Sequence, residues 1–553
     1  MAAPHRIDGV SSFAVPARSF ATPGKFSVVM SDTRTARLVI VLAALASLAL
    51  LLLWAPAYLT QQGFPLDDAW IHAVYGRSVA RSGMLAYNPG IPATGATSPL
   101  WALLLALPQL LAKRVGAIVV LTKLLGFGLH VLAALMIFAA FAGSTASASG
   151  PLVVAALVVC HPDLVAASVS GMEVPLATLI AASVLCVARR GGVVGYALLA
   201  VAAALARPEL AVLCYFLPIL LFVRRDRRRL VALSVAAGVG NAIAFGGMAL
   251  RNLAVSGLPL PATFYAKVGG GGMPIPSAEM VGFGQLLGHI AIADSGVLLL
   301  PLAGLAAWLV LSRRRQGDLT AAAALLGGLL FCAISFVLIR PVDPDALYHQ
   351  RYVLPVIPLI VAGVPMLAIE ALSRLLKPAS ARVARIAVLG LLAVSLLLEA
   401  PRRYERLAED ARNIDDVQVA VGRALASASP ADVVWAVDAG AVRYFGNAFV
   451  VDLMGLNNAS LLGSHAQAFL DAHPPSYIEI VPTWSMLDEQ SARQLEGRLF
   501  RPSTAYTVTS FPAMQRHWLV RCPPTFAGGE LQVRGRLFRF SCARGQAALP
   551  QVP

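Results

Sequence analysis

Long, nearly uninterrupted apolar blocks recur through the first 400 residues of this chain. Most approach the ~20 residues that a helix needs to cross a bilayer. They run over roughly 38–58, 97–112, 116–142, 151–168, 172–188, 193–206, 210–223, 230–250, 292–311, 320–340, 352–371 and 386–400. A single soluble core cannot absorb them, because cores stop growing beyond about 250–300 residues. Only 13% of the residues are charged, against about one quarter in soluble domains. The pattern predicts a mainly α, polytopic membrane helical bundle.

The net charge of +15 raises nucleic acid as a partner, and its distribution argues against it. The basic residues fall in short clusters between apolar blocks: Arg189–Arg190, Arg224 to Arg229, Arg313–Arg315 and Arg374 to Arg385. Such clusters mark cytoplasmic loops. With Arg34 and Arg37 inside, residues 59–96, 251–291 and 341–351 and the C-terminal segment fall outside. Parity then predicts about 11 crossings, with a broken or re-entrant element before Arg189. Residues 1–34, polar and basic, are expected to be a disordered cytoplasmic leader, and Met30 serves as well as Met1 for a start.

After Glu399 the composition becomes mixed, which predicts a small soluble α/β domain over 401–553, outside the membrane. A charged helical pattern runs from Arg402 to about Ala426. β-like runs follow at Val433–Val437, Phe449–Leu453, Ile478–Val481, Tyr506–Ser510 and Trp518–Arg521. Cys160, Cys186, Cys214 and Cys332 lie in apolar spans, where cysteine acts as a small hydrophobe. Cys522 and Cys542 remain, and an even pair in an extracytoplasmic domain reads as a disulfide.

The first outer loop carries the most informative stretch, Phe64-Pro65-Leu66-Asp67-Asp68-Ala69-Trp70-Ile71-His72-Ala73-Val74-Tyr75. Amphipathic spacing continues to Gly83, so Asp67 and Asp68 open an interfacial helix. They fit either as caps of that helix or as reacting groups. Tyr87-Asn88-Pro89-Gly90 and Gly95-Ala96-Thr97-Ser98-Pro99-Leu100-Trp101 follow before the next apolar block. In this order the motifs resemble those of GT-C fold glycosyltransferases, and among them the arabinofuranosyltransferases of bacterial envelope glycans. Further similar strings are Ser170-Gly171-Met172-Glu173, Ala206-Arg207-Pro208-Glu209, Pro261 to Lys267, His349-Gln350-Arg351-Tyr352 and Val451 to Leu456.

The resemblance implies an inverting transferase of the bacterial inner membrane. Its donor would be a polyprenyl-phosphate sugar, a pentofuranose such as arabinose, and its acceptor an envelope glycan or exported protein. It implies Asp67 as general base, with Asp68 sharing that role or positioning a cation or a sugar hydroxyl. A divalent cation stays open as a cofactor. A leaving phosphate needs cationic donors, and Lys267, His349 and Arg351 are the candidates. Glu173, Arg207, Glu209, Tyr265 and Tyr352 are expected to line the substrate.

Each of these has a plainer alternative. Arg207-Pro208-Glu209 is also an ordinary loop ion pair, although a charge between apolar runs usually lines a cavity. Gly269–Gly272 beside Lys267 is also a common flexible composition. Arg351 and Tyr352 also suit an interfacial belt. His161 and Asp163 read more simply as a polar loop than as metal ligands, and Asp438, Gly440, Asp452 and Asn457 as turns. A transporter or lipid-sugar flippase is the competing function, since intramembrane charges and broken helices suit it too. Against it stand the C-terminal domain, the lack of a clear internal repeat and the clustering of polar motifs at one face.

Overall fold

The computed structural model describes residues 23–142, 149–268, 318–339, 351–482, 484–502 and 516–542. Every apolar block named above forms helix except 292–311, which lies outside the described residues. The helices are α1 (Pro23–Trp54), α2 (Asp67–Ser82), α3 (Pro99–Leu111), α4 (Val115–Phe141), α5 (Ser149–Val159) and α6 (Pro162–Ser168). Then come α7 (Val174–Arg190), α8 (Val193–Ala206), α9 (Leu213–Phe222), α10 (Arg227–Ser256) and α11 (Ala262–Val268). After the gap follow α12 (Thr320–Ile339), α13 (Ile357–Leu375) and α14 (Pro378–Ile414). Helix α1 starts ahead of Arg34, inside the stretch expected as a disordered leader.

Among the described residues, 5 helices are long and apolar enough to cross a membrane, within Arg34–Trp54, Val115–Phe141, Arg227–Ser256, Leu354–Ser373 and Pro378–Ser427. The chain is a multi-pass membrane protein by that measure. Gly150–Val159 and Pro162–Ser168 form a pair bent by 55°, a broken or re-entrant element that makes up to 6 spans. It lies before Arg189, where parity required one. Its break has a local cause: Pro162 opens α6 and brings no amide to continue α5. The other apolar helices, such as Pro99–Leu111 and Val193–Ala206, are only 10–17 residues long. Among the described residues, length and composition alone therefore give 5 or 6 spans, against about 11 expected for the whole chain.

Helix α14 leaves the bundle through Pro401 unbroken, and a π turn at Asp415–Val419 leads into α15 (Ala420–Ala424). The expected boundary at residue 400 thus falls inside one helix. Beyond it lie β1 (Val433–Ala436), α16 (Ala439–Phe445), β2 (Phe449–Asp452), α17 (Ala466–Ala472), β3 (Tyr477–Ile480), β4 (Ser485–Leu487), α18 (Glu489–Gln494), β5 (Gly497–Phe500) and β6 (His517–Arg521). A hairpin of β7 (Gly529–Val533) and β8 (Arg536–Phe540) ends the described chain. A 5-stranded sheet has the order β2-β1-β3-β6-β5, and a 3-stranded sheet the order β4-β7-β8. Strand β1 is parallel to β2 and β3, while β6 runs antiparallel to β3 and β5.

Strand periodicity shows how this α/β unit is held. Side chains alternate between sheet faces, so Val434 and Ala436 of β1 join one core while Trp435 joins another. The first core is continuous with the bundle, running through Trp70 of α2, Tyr404 of α14 and Val442 of α16. The second lies between the sheets and includes Ile478, Leu531 and Phe538. Cys522 and Cys542 are joined as a disulfide, so the end of β6 is tied to the segment after β8. Of the expected β runs, 506–510 lies outside the described residues, and the others form strands within a residue or so.

Candidate active site

Helix α2 starts without a side-chain cap, since Leu66 holds the N-cap position. Asp67 and Asp68 occupy its first turn. Successive helical residues point about 100° apart, and here that rotation sends the carboxylates to different parts of the molecule. Asp68 pairs with Arg351, and its side chain is 40% exposed. Asp67 is buried against the C-terminal unit.

A charged cluster surrounds Asp68. His72, one turn further along the same face of α2, places Nε2 3.1 Å from Glu173 Oε2. Glu173 lies just ahead of α7 and accepts from Arg207 Nη1 at 2.6 Å. Arg207 Nε donates to Glu209 at 2.6 Å, and Nη1 also reaches the Arg351 carbonyl at 3.0 Å. Proline at 208 ends α8 and opens a short 3-10 turn, which is why Arg207 and Glu209 turn toward one another. The Tyr352 ring gathers three cations, with Arg207 at 4.6 Å, Arg351 at 5.3 Å and Lys267 Nζ at 5.9 Å from its centroid. Lys267 also donates to the Tyr352 hydroxyl at 3.2 Å.

The pairs differ in strength. Arg207 and Glu173 each expose 7% of the side chain. Removing one partner of such a buried pair costs about 3–5 kcal/mol, because the other charge is left unpaired. The Asp68–Arg351 pair, with its exposed carboxylate, belongs nearer the surface class worth about 0–1 kcal/mol.

Asp67 does a different job. Its carboxylate accepts from the amides of Gly440 at 2.5 Å and Ala441 at 2.7 Å, in the first turn of α16. A Cβ at position 440 would meet Asp67 Oδ2 at 2.6 Å and its carbonyl at 2.2 Å, so only glycine fits there. Glu479 of β3 accepts the preceding amides, Val437 at 3.2 Å and Asp438 at 3.1 Å. Two carboxylates, one from each half of the protein, thus hold the turn between β1 and α16. Burial, then the nearby Asp438 carboxylate, pushes Asp67 well above the ordinary carboxylate range. Burial, aided by the charge of Glu479, raises Asp438 to about 7.

Other motifs of the segment around α2 serve the same docking. Asn88 exchanges two hydrogen bonds with Val450, at 2.9 and 3.0 Å. The Tyr87 hydroxyl donates to Ala439 O at 2.5 Å, and the Tyr75 hydroxyl to Asn457 Oδ1 at 2.9 Å. Asp452 organises that loop by accepting from the amides of Met454 and Asn457 and from Asn457 Nδ2. Open α/β sheets commonly hold a ligand beyond the carboxyl ends of their parallel strands. Here the ends of β1 and β2 are occupied by α2 and its loop.

Among the expected site residues, Asp68, Glu173, Arg207, Glu209, Lys267, Arg351 and Tyr352 come together. Tyr265 stands half-buried against Phe264, with ring centroids 5.5 Å apart. His349 lies outside the described residues. Neither acidic side chain caps α2. Asp163 pairs with Arg403 at 3.0 Å, bracing the broken element against α14. No group of three or more His, Cys, Asp or Glu suited to a metal occurs among the described residues. His72 was not anticipated as a site residue, although its spacing of four from Asp68 is a same-face signal.

Residues 412–533 match a family model described as a domain of unknown function (DUF8728). No curated protein matches the chain. Among solved structures the chain is similar to ArnT from Cupriavidus metallidurans, in a crystal structure bound to undecaprenyl phosphate. The two are 16% identical, with a TM-score of 0.46, over 87% of this chain and 97% of that one. So slight a likeness decides neither fold nor chemistry.

Proposed function

We propose that this protein is a GT-C type membrane glycosyltransferase that moves a sugar from a polyprenyl-phosphate donor to an envelope glycan or exported acceptor, with inversion. The observation that carries the reading is the meeting of Asp68, Arg351, Arg207 and Lys267 around Tyr352, from segments far apart in the chain. It joins a half-exposed carboxylate to several cations. Transfer to a hydroxyl with loss of a lipid phosphate requires that combination.

In this reading the acceptor oxygen attacks the anomeric carbon from the face opposite the phosphate. Asp68 takes the hydroxyl proton, the new C–O bond forms, and the old one breaks with its electron pair going to the phosphate. Lys267 and Arg351 meet that charge, and Arg207 is held by Glu173 and Glu209 as part of the frame. The base role expected for Asp67 passes to Asp68, because both Asp67 oxygens already accept backbone amides. Asp67 instead secures α2 to the C-terminal unit. Arabinofuranose as the sugar, and the outer face of a bacterial inner membrane as the location, rest on motif resemblance and on charge parity.

The 55° break between α5 and α6 is a feature that a lipid-sugar flippase would share. Membranes containing the protein, supplied with labelled polyprenyl-phosphate sugars and an envelope glycan acceptor, separate the two. A transferase converts label into glycan, and Asp68→Asn abolishes it. Label that moves between leaflets without reaching glycan would favour the flippase, and full transfer by Asp68→Asn would remove the base assignment.

A further inference from the structure

The ion pairs at Tyr352 differ in exposure. Arg207 is fixed by Glu173 and Glu209 and also holds the main chain of Arg351 through its carbonyl. The Arg351 guanidinium, by contrast, reaches out to Asp68, a carboxylate with a side chain 40% exposed. The Arg351 carbonyl is held by Arg207, and within the pair the carboxylate is the more exposed member, 40% against 14% for the Arg351 side chain. An incoming phosphate matches a guanidinium as well as a carboxylate does. Seated there, it brings like charge against Asp68. The half-exposed pair is then the contact that opens, since the Arg207–Glu173 pair is buried.

We propose that Asp68 and Arg351 form a donor-operated latch. Without donor, Arg351 occupies the carboxylate. When the lipid phosphate seats on Arg351 and Lys267 it displaces Asp68, which is then available to an acceptor hydroxyl. The carboxylate is thereby withheld from hydroxyls, water included, until a donor is in place. After transfer, Asp68 carries the hydroxyl proton and cannot reclaim Arg351 as a carboxylate until that proton leaves. Release of the lipid phosphate is thus tied to deprotonation of Asp68. The latch rests on the donor reading given above.

The test is a double-mutant cycle read by binding. Full-length protein in lipid nanodiscs is titrated with undecaprenyl phosphate as the sugar-free probe. Four forms are compared: wild type, Asp68→Asn, Arg351→Gln and the double variant, each first checked for thermal unfolding. Asp68→Asn should bind the probe about three- to tenfold more tightly than wild type, because a competitor for Arg351 is gone. In the Arg351→Gln background the same change should alter affinity by less than about twofold. Equal or weaker binding by Asp68→Asn overturns the latch. So does tightening that persists without Arg351, which reports a general field of the removed charge. Failure of wild type both to bind the probe and to consume lipid-linked sugar removes the donor reading, and the latch falls with it.

Discussion

Asp67 and Gly440 meet across the whole protein: the Gly440 amide donates to Asp67 Oδ2 at 2.5 Å over a separation of 373 residues. With the Ala441 amide at 2.7 Å, this contact joins α2 to α16 of the C-terminal unit. It also assigns different work to adjacent carboxylates. Asp67 belongs to the joint, and the chemistry is proposed for Asp68.

Asparagine at either position should therefore fail for different reasons. Asp67→Asn keeps one acceptor but turns an NH2 toward a backbone amide, losing about 1–3 kcal/mol. We expect a lower unfolding temperature, with folded protein still transferring sugar. Asp68→Asn should leave the unfolding temperature within about a degree or two of wild type, since a half-exposed pair contributes little. It should lower transfer by about 100- to 10,000-fold, the usual weight of a general base. Thermal unfolding and transfer assays on the same preparations check both outcomes, and the opposite pattern would return the base role to Asp67.

Gly440→Ala offers a sharper probe of the joint. The new methyl would lie 2.2 Å from the Asp67 carbonyl oxygen, too close without moving α2 or α16. Overpacking of this kind costs about 1–3 kcal/mol, and the contacts at Tyr87 and Asn88 should loosen with it. Gly128→Ala, where an added Cβ meets nothing within 4 Å, is the control and should unfold like wild type. Hydrogen exchange across residues 84–95 reads the loosening directly. Protection unchanged in Gly440→Ala would mean that the contact does not hold the loop.

Much of the site could be named beforehand because isolated charges in apolar surroundings are costly and therefore conspicuous. Arg207 and Glu209 stood out that way, while Lys267 and Arg351 stood out through the resemblance of their motifs. What the sequence could not show was their meeting point, which depends on the packing of separate helices. The division of labour between Asp67 and Asp68 was hidden because one amide partner lies 373 positions away. Some misses had readable signals. Arg534 and Gly535 have φ of 45° and 81° between the alternating runs of β7 and β8, the arrangement of a tight hairpin. Tyr87 and Asn88 stood out as part of a motif, but their work in the joint was unreadable until Ala439 and Val450 came to meet them.

The buried acid pair predicts a stability that declines with rising pH. Asp67 is held well above the carboxylate range, and Asp438 is raised to about 7 from an ordinary 3.8, first by burial in both cases. The folded protein therefore binds more protons than the unfolded chain between about pH 4 and 7. Stability from this source is full below the unfolded value and is lost as pH rises through about 7. The groups facing the pair, Glu479 from β3 and Gln418 from the π turn, do not supply a compensating cation. Unfolding temperatures should fall between about pH 4 and 7 in wild type, and Asp438→Asn should flatten that slope. A wild-type slope of opposite sign would show that the pair is ionised throughout.

The disulfide makes the last prediction, one that joins stability to compartment. Cys522 and Cys542 close a loop with a sequence separation of 20, for which loop-closure entropy gives about 3 kcal/mol. The bond staples the β7–β8 hairpin to β6, so its loss should act on the second core around Leu531 and Phe538 and spare the charged cluster. Cys522→Ala with Cys542→Ala should lower the unfolding temperature, and a reductant should do the same to wild type but nothing further to the double variant. Such bonds form in oxidising compartments. In intact cells, a membrane-impermeant thiol reagent should therefore label Cys522 and Cys542 only after external reduction. Labelling without reduction would show that the bond is absent in the cell. Labelling confined to broken cells after reduction would place the unit on the cytoplasmic side and reverse the topology inferred from the basic clusters.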